Sequence, residues 1–257
     1  MILGSDPELF LVDTLGNFKS SVGLIGGSKE KPRPVLDRPG FAVQEDNVAL
    51  EFNIPPSKSR QDFIDNLSTM ITFLEGEVGK MGLKLSIIPS ARFPKEQLDN
   101  DQSRTFGCDA DFNAWSMEQN PKPICSDATF RTCGGHIHFT TQLPLVQVIR
   151  AMDLFLAVPA VLLDPDTERR NLYGLAGCYR ATKYGGEYRT LSNFWLKNKD
   201  LMGWAWDRTE AAFAYVEKNR EFDDEDFLIE RALDIEQCIN NSDKELAQEL
   251  MNDSISF

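Results

Sequence analysis

Two short stretches, Cys133-Gly-Gly-His-Ile-His-Phe139 and Gly186-Glu-Tyr-Arg-Thr-Leu191, determine the fold that we predict for this sequence. In each stretch, ionisable or metal-ligating side chains alternate with other residues. Successive side chains of a strand point to opposite faces. The two histidines of the first stretch therefore share one face of a strand, and Glu187 and Arg189 share one face of another. The chain contains no other histidine. This pattern predicts two strands that carry a functional site.

Acidic residues occur with compatible spacing in two further segments. Asp6 and Glu8 precede an apolar run that begins at Leu9, while Glu45 and Glu51 flank a predicted tight turn. One such pair alone is more often the solvent face of a half-buried antiparallel sheet. Several carboxylates that converge with an imidazole, however, repel one another unless cations neutralise them. Oxygen ligands combined with a single imidazole favour Mg²⁺ or Mn²⁺ over zinc.

Basic residues are concentrated around the second stretch. The group consists of Arg131, which precedes the histidines, and of Arg169, Arg170, Arg180, Lys183 and Arg189. Guanidinium groups bind planar carboxylates and phosphates through paired hydrogen bonds, and phosphoryl transfer depends largely on cationic positioning. Carboxylates, arginines and a divalent metal together predict a phosphate-transfer site. The alternative is that these arginines form weak surface pairs with the many acids of the chain.

The composition limits the classes of partner. With 27 Lys plus Arg against 40 Asp plus Glu among 257 residues, the net charge of -13 disfavours nucleic acid and anionic membranes. The first ten residues do not resemble a signal peptide, and we expect no apolar stretch that approaches the roughly 20 residues needed to span a bilayer. Five scattered cysteines without a CxxC spacing favour reduced thiols. The expected location is the cytoplasm.

The order of predicted elements favours an α+β fold. A capped helix is predicted over Ser59–Met81, and a buried apolar helix over Leu145–Leu163 with a break near Pro159. Strands are predicted at residues 9–12, 41–43, 48–54, 83–88, 128–140 and 185–191. We therefore expect a single domain over residues 1–257, with a largely antiparallel sheet, helices on one face and a helical, acidic C-terminal extension from about residue 199.

Several segments resemble a known family. Gly4-Ser-Asp-Pro-Glu-Leu-Phe-Leu11 resembles the first acidic strand of the glutamine synthetase fold, the Gly-Gly-His-Ile-His stretch resembles its histidine strand, and Glu187-Tyr-Arg189 resembles its last catalytic strand. The segments 44–56, 106–109, 170–180 and 187–195 resemble the phage-type carboxylate-amine ligases, type 2. This resemblance extends from residue 4 to about residue 196. It implies the sheet of the glutamine synthetase catalytic domain.

The resemblance also implies roles for individual residues. One metal would be held by Glu8, Glu45 and Glu51, and a second, which bridges the phosphates of ATP, by Asp6, His136 and Glu187. Asp6 stands where glutamine synthetases have a glutamate. The register of the turn leaves open whether Glu45 or Asp46 faces the metals.

The remaining implied roles concern phosphate. Arg189 and Arg180 would stabilise the transferring γ-phosphoryl group beside Glu187. The implied nucleotide contacts are His138, Arg131, Arg170 and Lys183.

The implied activity is ATP-dependent joining of a carboxylate to an amine through an acyl phosphate, with Mg²⁺ or Mn²⁺. The substrates would be small-molecule or peptide carboxylates and amines in the cytoplasm of a phage-infected host. Two alternatives remain open at this point. One is phosphate transfer to a guanidino group on the same fold, and the other is a non-catalytic phage protein that binds metal, nucleotide or another protein. The oligomeric state is also left open.

Overall fold

The computed structural model describes residues 1–104, 111–219 and 227–254. The motif at residues 106–109 and the acidic run at residues 221–226 lie outside the described residues.

Every strand pairing among the described residues is antiparallel, which confirms the predicted antiparallel α+β fold. The strands are β1 (Leu3–Ser5), β2 (Glu8–Val12), β3 (Phe18–Lys19), β4 (Arg33–Pro34), β5 (Ala42–Asp46), β6 (Ala49–Asn53), β7 (Lys84–Ser86), β8 (Ser90–Arg92), β9 (Phe112–Asn113), β10 (Phe130–Thr132), β11 (Ile137–Thr140), β12 (Cys178–Thr182) and β13 (Gly185–Tyr188).

These strands form two main sheets and one small sheet. The five-stranded sheet has the order β1-β11-β13-β12-β9, and the six-stranded sheet has the order β3-β2-β6-β5-β4 with β7 paired to β2. Strands β8 and β10 pair with each other. The chain passes from the five-stranded sheet to the six-stranded sheet through only two residues, Asp6 and Pro7, which lie between β1 and β2. These two residues therefore mark a junction between the main sheets.

The prediction of one continuous strand over residues 128–140 was wrong. Strand β10 ends at Thr132 and β11 begins at Ile137, and the glycines between them bond to other segments. Gly134 accepts a hydrogen bond from the Glu8 amide at 3.0 Å, and the Gly135 amide donates to Leu191 O at 3.0 Å. The chain thus leaves the small sheet and enters the five-stranded sheet at this point, so His136 lies just before the strand rather than within it.

The helices cover the sheets and supply much of the core. They are α1 (Arg60–Gly79), α2 (Asp101–Arg104), α3 (Leu145–Met152), α4 (Val158–Leu163), α5 (Lys199–Lys218), α6 (Phe227–Glu230), α7 (Ala232–Asn241) and α8 (Lys244–Ser254). Helix α5 packs against α1 and α3, and its buried side chains belong to the main hydrophobic core.

Helix α1 shows how local sequence sets an element. Ser59 is the N-cap, and its side chain accepts a hydrogen bond from the Asp62 amide, as the capping pattern predicts. Apolar side chains at helical spacing form one buried face, which contacts α5 and includes the fully buried Leu67. The helix ends before Gly82, which has a φ of 71°.

The apolar segment Leu145–Leu163 forms α3 and α4, with a π-helical turn over Asp153–Ala157 between them. By length and composition this segment is long and apolar enough to cross a membrane, so the expectation that no such stretch exists was wrong. In the structure, however, 67% of its most apolar 18-residue window is buried within the fold. Its neighbours include α5 and α8. The break was predicted near Pro159, but the irregular turn ends at Ala157, and Pro159 lies in the first turn of α4.

Truncation of a buried side chain of α1 tests this packing. We expect Leu67→Ala to lower the free energy of unfolding by about 2–5 kcal/mol, because it removes apolar contacts and leaves a cavity. Leu233→Ala is the matched control, since Leu233 is 72% exposed, and it should change stability by less than about 0.5 kcal/mol. Urea unfolding monitored by circular dichroism measures both values. Equal effects of the two substitutions would contradict the assigned core.

Candidate active site

The junction of the two main sheets brings acidic residues from both sheets together. In the six-stranded sheet, Glu8 on β2 lies opposite Glu51 on β6. In the five-stranded sheet, Glu187 on β13 lies opposite His138 on β11 and opposite Arg180 on β12. Asp6 precedes Glu8 by two residues at the crossing. The site is therefore assembled by strand register in both sheets.

We call the first group, Asp6, His138 and Glu187, the His138 cluster. One potential ligand atom from each residue lies within 4.8 Å of the other two. Asp6 Oδ1 is 2.9 Å from His138 Nε2, yet neither of these buried atoms makes a hydrogen bond of acceptable geometry. Burial raises the pKa of Asp6, but the adjacent imidazoles of His138 and His136 lower it by more. Asp6 is thus held as a carboxylate.

His136 lies beside the same cluster. Its Nδ1 is 3.5 Å from both Asp6 Oδ1 and Glu187 Oε1. Gly134 leaves the space for this ring, since a Cβ atom at that position would lie 2.3 Å from His136 Nε2. Both histidines are therefore adjacent to the acids. The resemblance implies that His138 contacts the nucleotide, but in the structure His138 is the histidine that groups with Asp6 and Glu187. Tyr184 Oη lies 3.1 Å from His138 Nδ1.

Two arginines hold the buried carboxylate of Glu187. Arg180 Nη1 is 3.2 Å from Glu187 Oε2, and Arg189 Nη1 contacts Glu187 Oε1. Arg189 Nε also lies 3.5 Å from Asp111 Oδ2. Because each guanidinium is anchored by a carboxylate, both cations have defined positions next to the cluster.

We call the second group, Glu8, Asp46 and Glu51, the Glu51 cluster; its potential ligand atoms also lie within 4.8 Å of one another. Burial raises the pKa of Asp46 to about 7, and the charge of Glu8 adds to this increase. Burial also raises the pKa of Glu51, with further contributions from Asp6, Glu8 and Asp46. These shifts arise because adjacent buried carboxylates cannot all carry charge without a cation.

The structure corrects the predicted ligand Glu45. Glu45 and Asp46 are neighbours on β5, so their side chains point to opposite faces of the sheet. The Glu45 carboxylate accepts hydrogen bonds from the amides of Gly23, Ile25 and Gly26 at 2.7–3.1 Å. It therefore stabilises the glycine-rich loop at residues 23–27, and Asp46 takes the place in the Glu51 cluster.

The chemistry of both clusters fits divalent cations. Asp6 Oδ1 and His138 Nε2 are buried atoms without hydrogen bonds, and the Glu51 cluster brings together three carboxylates in a partly or fully buried position. Carboxylate oxygens with one imidazole suit Mg²⁺ or Mn²⁺. The residues that would hold such ions are those of the His138 and Glu51 clusters, with His136 adjacent to the first.

A cavity adjoins the clusters and has walls of opposite charge. Its acidic lining includes Glu8, Asp46 and Asp111, its basic lining includes Arg131, Arg169 and Arg189, and His136 also lines it. Arg131 is held by hydrogen bonds to the carbonyl oxygens of Ala128, Phe130 and Ser103. The cavity can therefore receive a ligand that carries both acidic and basic groups, or two ligands of opposite charge.

Two predicted nucleotide contacts have other positions. The Arg170 guanidinium is buried and donates to Ser242 Oγ at 3.0 Å, next to the end of α7, so that Arg169 rather than Arg170 lines the cavity. Consecutive residues of the 3₁₀ turn Arg169–Asn171 point in different directions, which explains why Arg169 lines the cavity while Arg170 points away from it. Lys183 is exposed in the turn between β12 and β13.

Sequence reasoning did not select Asp111 or Tyr184. Asp111 lies two residues after the 106–109 segment, and Tyr184 precedes the glycines that begin β13. The three-dimensional pairing of the strands places Asp111 beside Arg189 and Tyr184 beside His138. In the sequence, only their proximity to the recognised motifs could have indicated that Asp111 and Tyr184 belong to the site.

The fold and the site define an α+β protein with an acidic, arginine-bearing basin suited to divalent cations. Residues 127–228 match the family model described as Phage phiEco32-like COOH.NH2 ligase-type 2, which confirms the resemblance inferred from the sequence. This range contains both histidines, Glu187 and Arg189, but not Asp6, Glu8 or Glu51. A comparison with curated proteins gave no match.

Two solved structures are similar to this chain. The first, described as the crystal structure of a novel glutamine synthase homolog, has 12% sequence identity and a TM-score of 0.43, with 99% of this chain and 66% of that chain covered. The second, described as apo GmaS without ligand, has 12% identity and a TM-score of 0.43, with 100% of this chain and 70% of that chain covered. The chain thus spans just under two thirds of the length of the first.

Adjacent substitutions on β5 test the correction of Glu45. The raised pKa of Asp46 means that the folded protein binds a proton more tightly than the unfolded chain, so this contribution to stability is lost as the pH rises from about 4 through 7. At pH 8 without metal, Asp46→Asn should therefore raise Tm by about 2–4 °C, equivalent to about 1 kcal/mol. It should also at least halve the Tm increase produced by Mg²⁺.

Glu45→Gln is the matched control for this experiment. It should lower Tm, because three amides of the loop lose a charged acceptor, and it should keep the full response to Mg²⁺. Differential scanning fluorimetry with a Mg²⁺ titration measures both variants. The opposite result, a lost response in Glu45→Gln and a normal response in Asp46→Asn, would reverse the orientation of β5.

Proposed function

We propose that this protein is an ATP-dependent carboxylate-amine ligase that uses Mg²⁺ or Mn²⁺. The observation that carries the proposal is the meeting of the His138 and Glu51 clusters at the sheet junction, with Arg180 and Arg189 anchored on Glu187. The match of residues 127–228 to a ligase family supports the same reaction class.

Divalent cations held by the two clusters would neutralise phosphate charge and orient the phosphate oxygens. Arg189 and Arg180 would contribute donors to the γ-phosphoryl group as charge develops on its oxygens. Their anchoring by Glu187 and Asp111 reduces the reorganisation needed when the nucleotide binds. Arg131 and Arg169 favour the binding of an anionic acid in the cavity, while Glu8 and Asp46 favour the approach of a cationic amine.

The proposed reaction has two steps. An oxygen of the substrate carboxylate attacks the γ-phosphorus, the bond from that phosphorus to the bridging oxygen breaks, and ADP leaves. The amine nitrogen then attacks the acyl carbon, inorganic phosphate leaves, and the nitrogen loses a proton to the solvent to give the amide. No step requires a covalent bond to the protein.

Isotope transfer with hydroxylamine as the amine tests the acyl phosphate. The purified protein is incubated with ATP, Mg²⁺, hydroxylamine and a panel of amino-acid and other carboxylates labelled with ¹⁸O. We expect ADP, a hydroxamate and phosphate that contains one ¹⁸O atom. A stable phosphorylated guanidine formed from guanidino compounds, without hydroxamate from any acid, would instead favour the phosphotransferase.

Arg189→Lys tests the role of the planar guanidinium in the same assay. Lysine keeps the charge but loses the paired donors, so we expect kcat to fall by about 10²–10³. Lys183→Gln, at an exposed position in the turn, should change kcat by less than about twofold. Unchanged turnover in Arg189→Lys and in Glu51→Gln would contradict the proposed catalytic site.

A further inference from the structure

Asp153 is a buried carboxylate on the side of the sheet away from the clusters. It is the first residue of the π-helical turn between α3 and α4, and it is fully buried. Glu187 and Arg189 flank Tyr188 on and after β13, so the Tyr188 side chain points to the opposite face from theirs. Tyr188 contacts Asp153 on that opposite face.

Three hydrogen-bond donors from three segments converge on this carboxylate, and the Thr190 hydroxyl, which donates to Leu175 O at 3.0 Å, lies beside it. Tyr188 Oη donates to Oδ1 at 2.6 Å, and Thr190 Oγ1 lies 3.4 Å from the same oxygen. Trp115 Nε1 and the Gly177 amide donate to Oδ2 at 2.7 and 2.6 Å. A single side chain therefore joins the β13 strand, the segment that follows β9 and the residue that precedes β12.

Each of these three segments carries a residue of the site. The β13 segment carries Glu187 and Arg189, β12 carries Arg180, and the chain that leads to Trp115 carries Asp111. Arg180 and Arg189 contact Glu187, and Arg189 pairs with Asp111. We call Arg180, Glu187, Arg189 and Asp111 the ionic chain. Each of its members thus lies within four residues of a group that donates a hydrogen bond to Asp153.

We propose that Asp153 is a positioning residue that fixes the Arg180–Glu187–Arg189–Asp111 arrangement from behind the sheet. A buried acceptor with several short hydrogen bonds restrains its donors strongly, because a displaced donor would remain without a partner. A π-helical turn places one residue out of the regular helical register, which lets the Asp153 side chain face the sheet. The effect of Asp153 on catalysis rests on the proposed function, whereas its effect on the positions of the ionic side chains does not.

Tyr188→Phe is the variant that isolates the connection to β13. It keeps the buried ring and removes the hydroxyl donor to Asp153. Asp153→Asn is the conservative variant: burial raises the pKa of Asp153 to about 7, so an uncharged amide of the same shape retains an acceptor for Trp115 and Gly177. Asp153→Ala removes the acceptor of all three short hydrogen bonds. Leu67→Ala serves as the control that lowers stability through α1 without touching the ionic chain.

Hydrogen–deuterium exchange in metal-free protein provides the first measurement. We expect Tyr188→Phe and Asp153→Ala to increase exchange at least about threefold in peptides that cover residues 111–117 and 178–190, with Asp153→Asn closer to wild type. Leu67→Ala should not increase exchange selectively in these peptides. Exchange in Tyr188→Phe and Asp153→Ala that equals the Leu67→Ala pattern would overturn the proposal, whether or not the protein binds ATP.

Nucleotide affinity provides the second measurement. Binding of the Mg²⁺ complex of the non-hydrolysable analogue AMP-PNP is measured at a temperature where all variants are folded. Tyr188→Phe should weaken this binding at least about fivefold, and Leu67→Ala should bind as the wild type does. Asp153→Asn should restore most of the affinity that is lost in Asp153→Ala. Unchanged affinity in Asp153→Ala would overturn the role at the site. Failure of the wild type to bind AMP-PNP would count against the proposed function alone, and the exchange result would still decide the positioning role.

Discussion

Repulsion among buried carboxylates at the sheet junction is the constraint on which the rest of the site depends. The crossing from β1 to β2 takes two residues, so Asp6 from one side and Glu8 from the other are forced close to Glu51 and Glu187. Burial raises the pKa values of Asp46 and Glu51, and the neighbouring carboxylate charges raise them further. A fold selected for stability alone would place apolar side chains here. The arrangement makes physical sense if cations complete it.

The protein balances part of this charge with its own cations and with close packing. Arg180 and Arg189 neutralise Glu187, and the two histidines lie between Asp6 and Glu187. The glycines before His136 allow this density, because a side chain at Gly135 would overlap Ser192 O. The Glu51 cluster contains no basic member, and the strongest demand for an external cation therefore lies there.

The sequence predicted the strands and the chemistry better than the connections between them. Alternation in the histidine and Glu187 stretches indicated the strand face that carries His138 and Glu187, because a period of two is a local property. The choice between Glu45 and Asp46 depended on the register of β5, and the choice between Arg169 and Arg170 depended on how a short 3₁₀ turn meets the cavity. Neither property is local. The break at residues 133–136 was missed because glycine is compatible with both a strand and a crossing.

Calorimetric titration of AMP-PNP in the presence and absence of Mg²⁺ tests the central claim most directly. We predict binding by the wild type that requires Mg²⁺ and that is lost or weakened at least about tenfold in Glu51→Gln and in Asp6→Asn, because each substitution removes a charged ligand from one cluster. Binding that is independent of Mg²⁺ and of both carboxylates, or no binding by folded wild type, would contradict the account of the sheet junction as a cation-dependent nucleotide site.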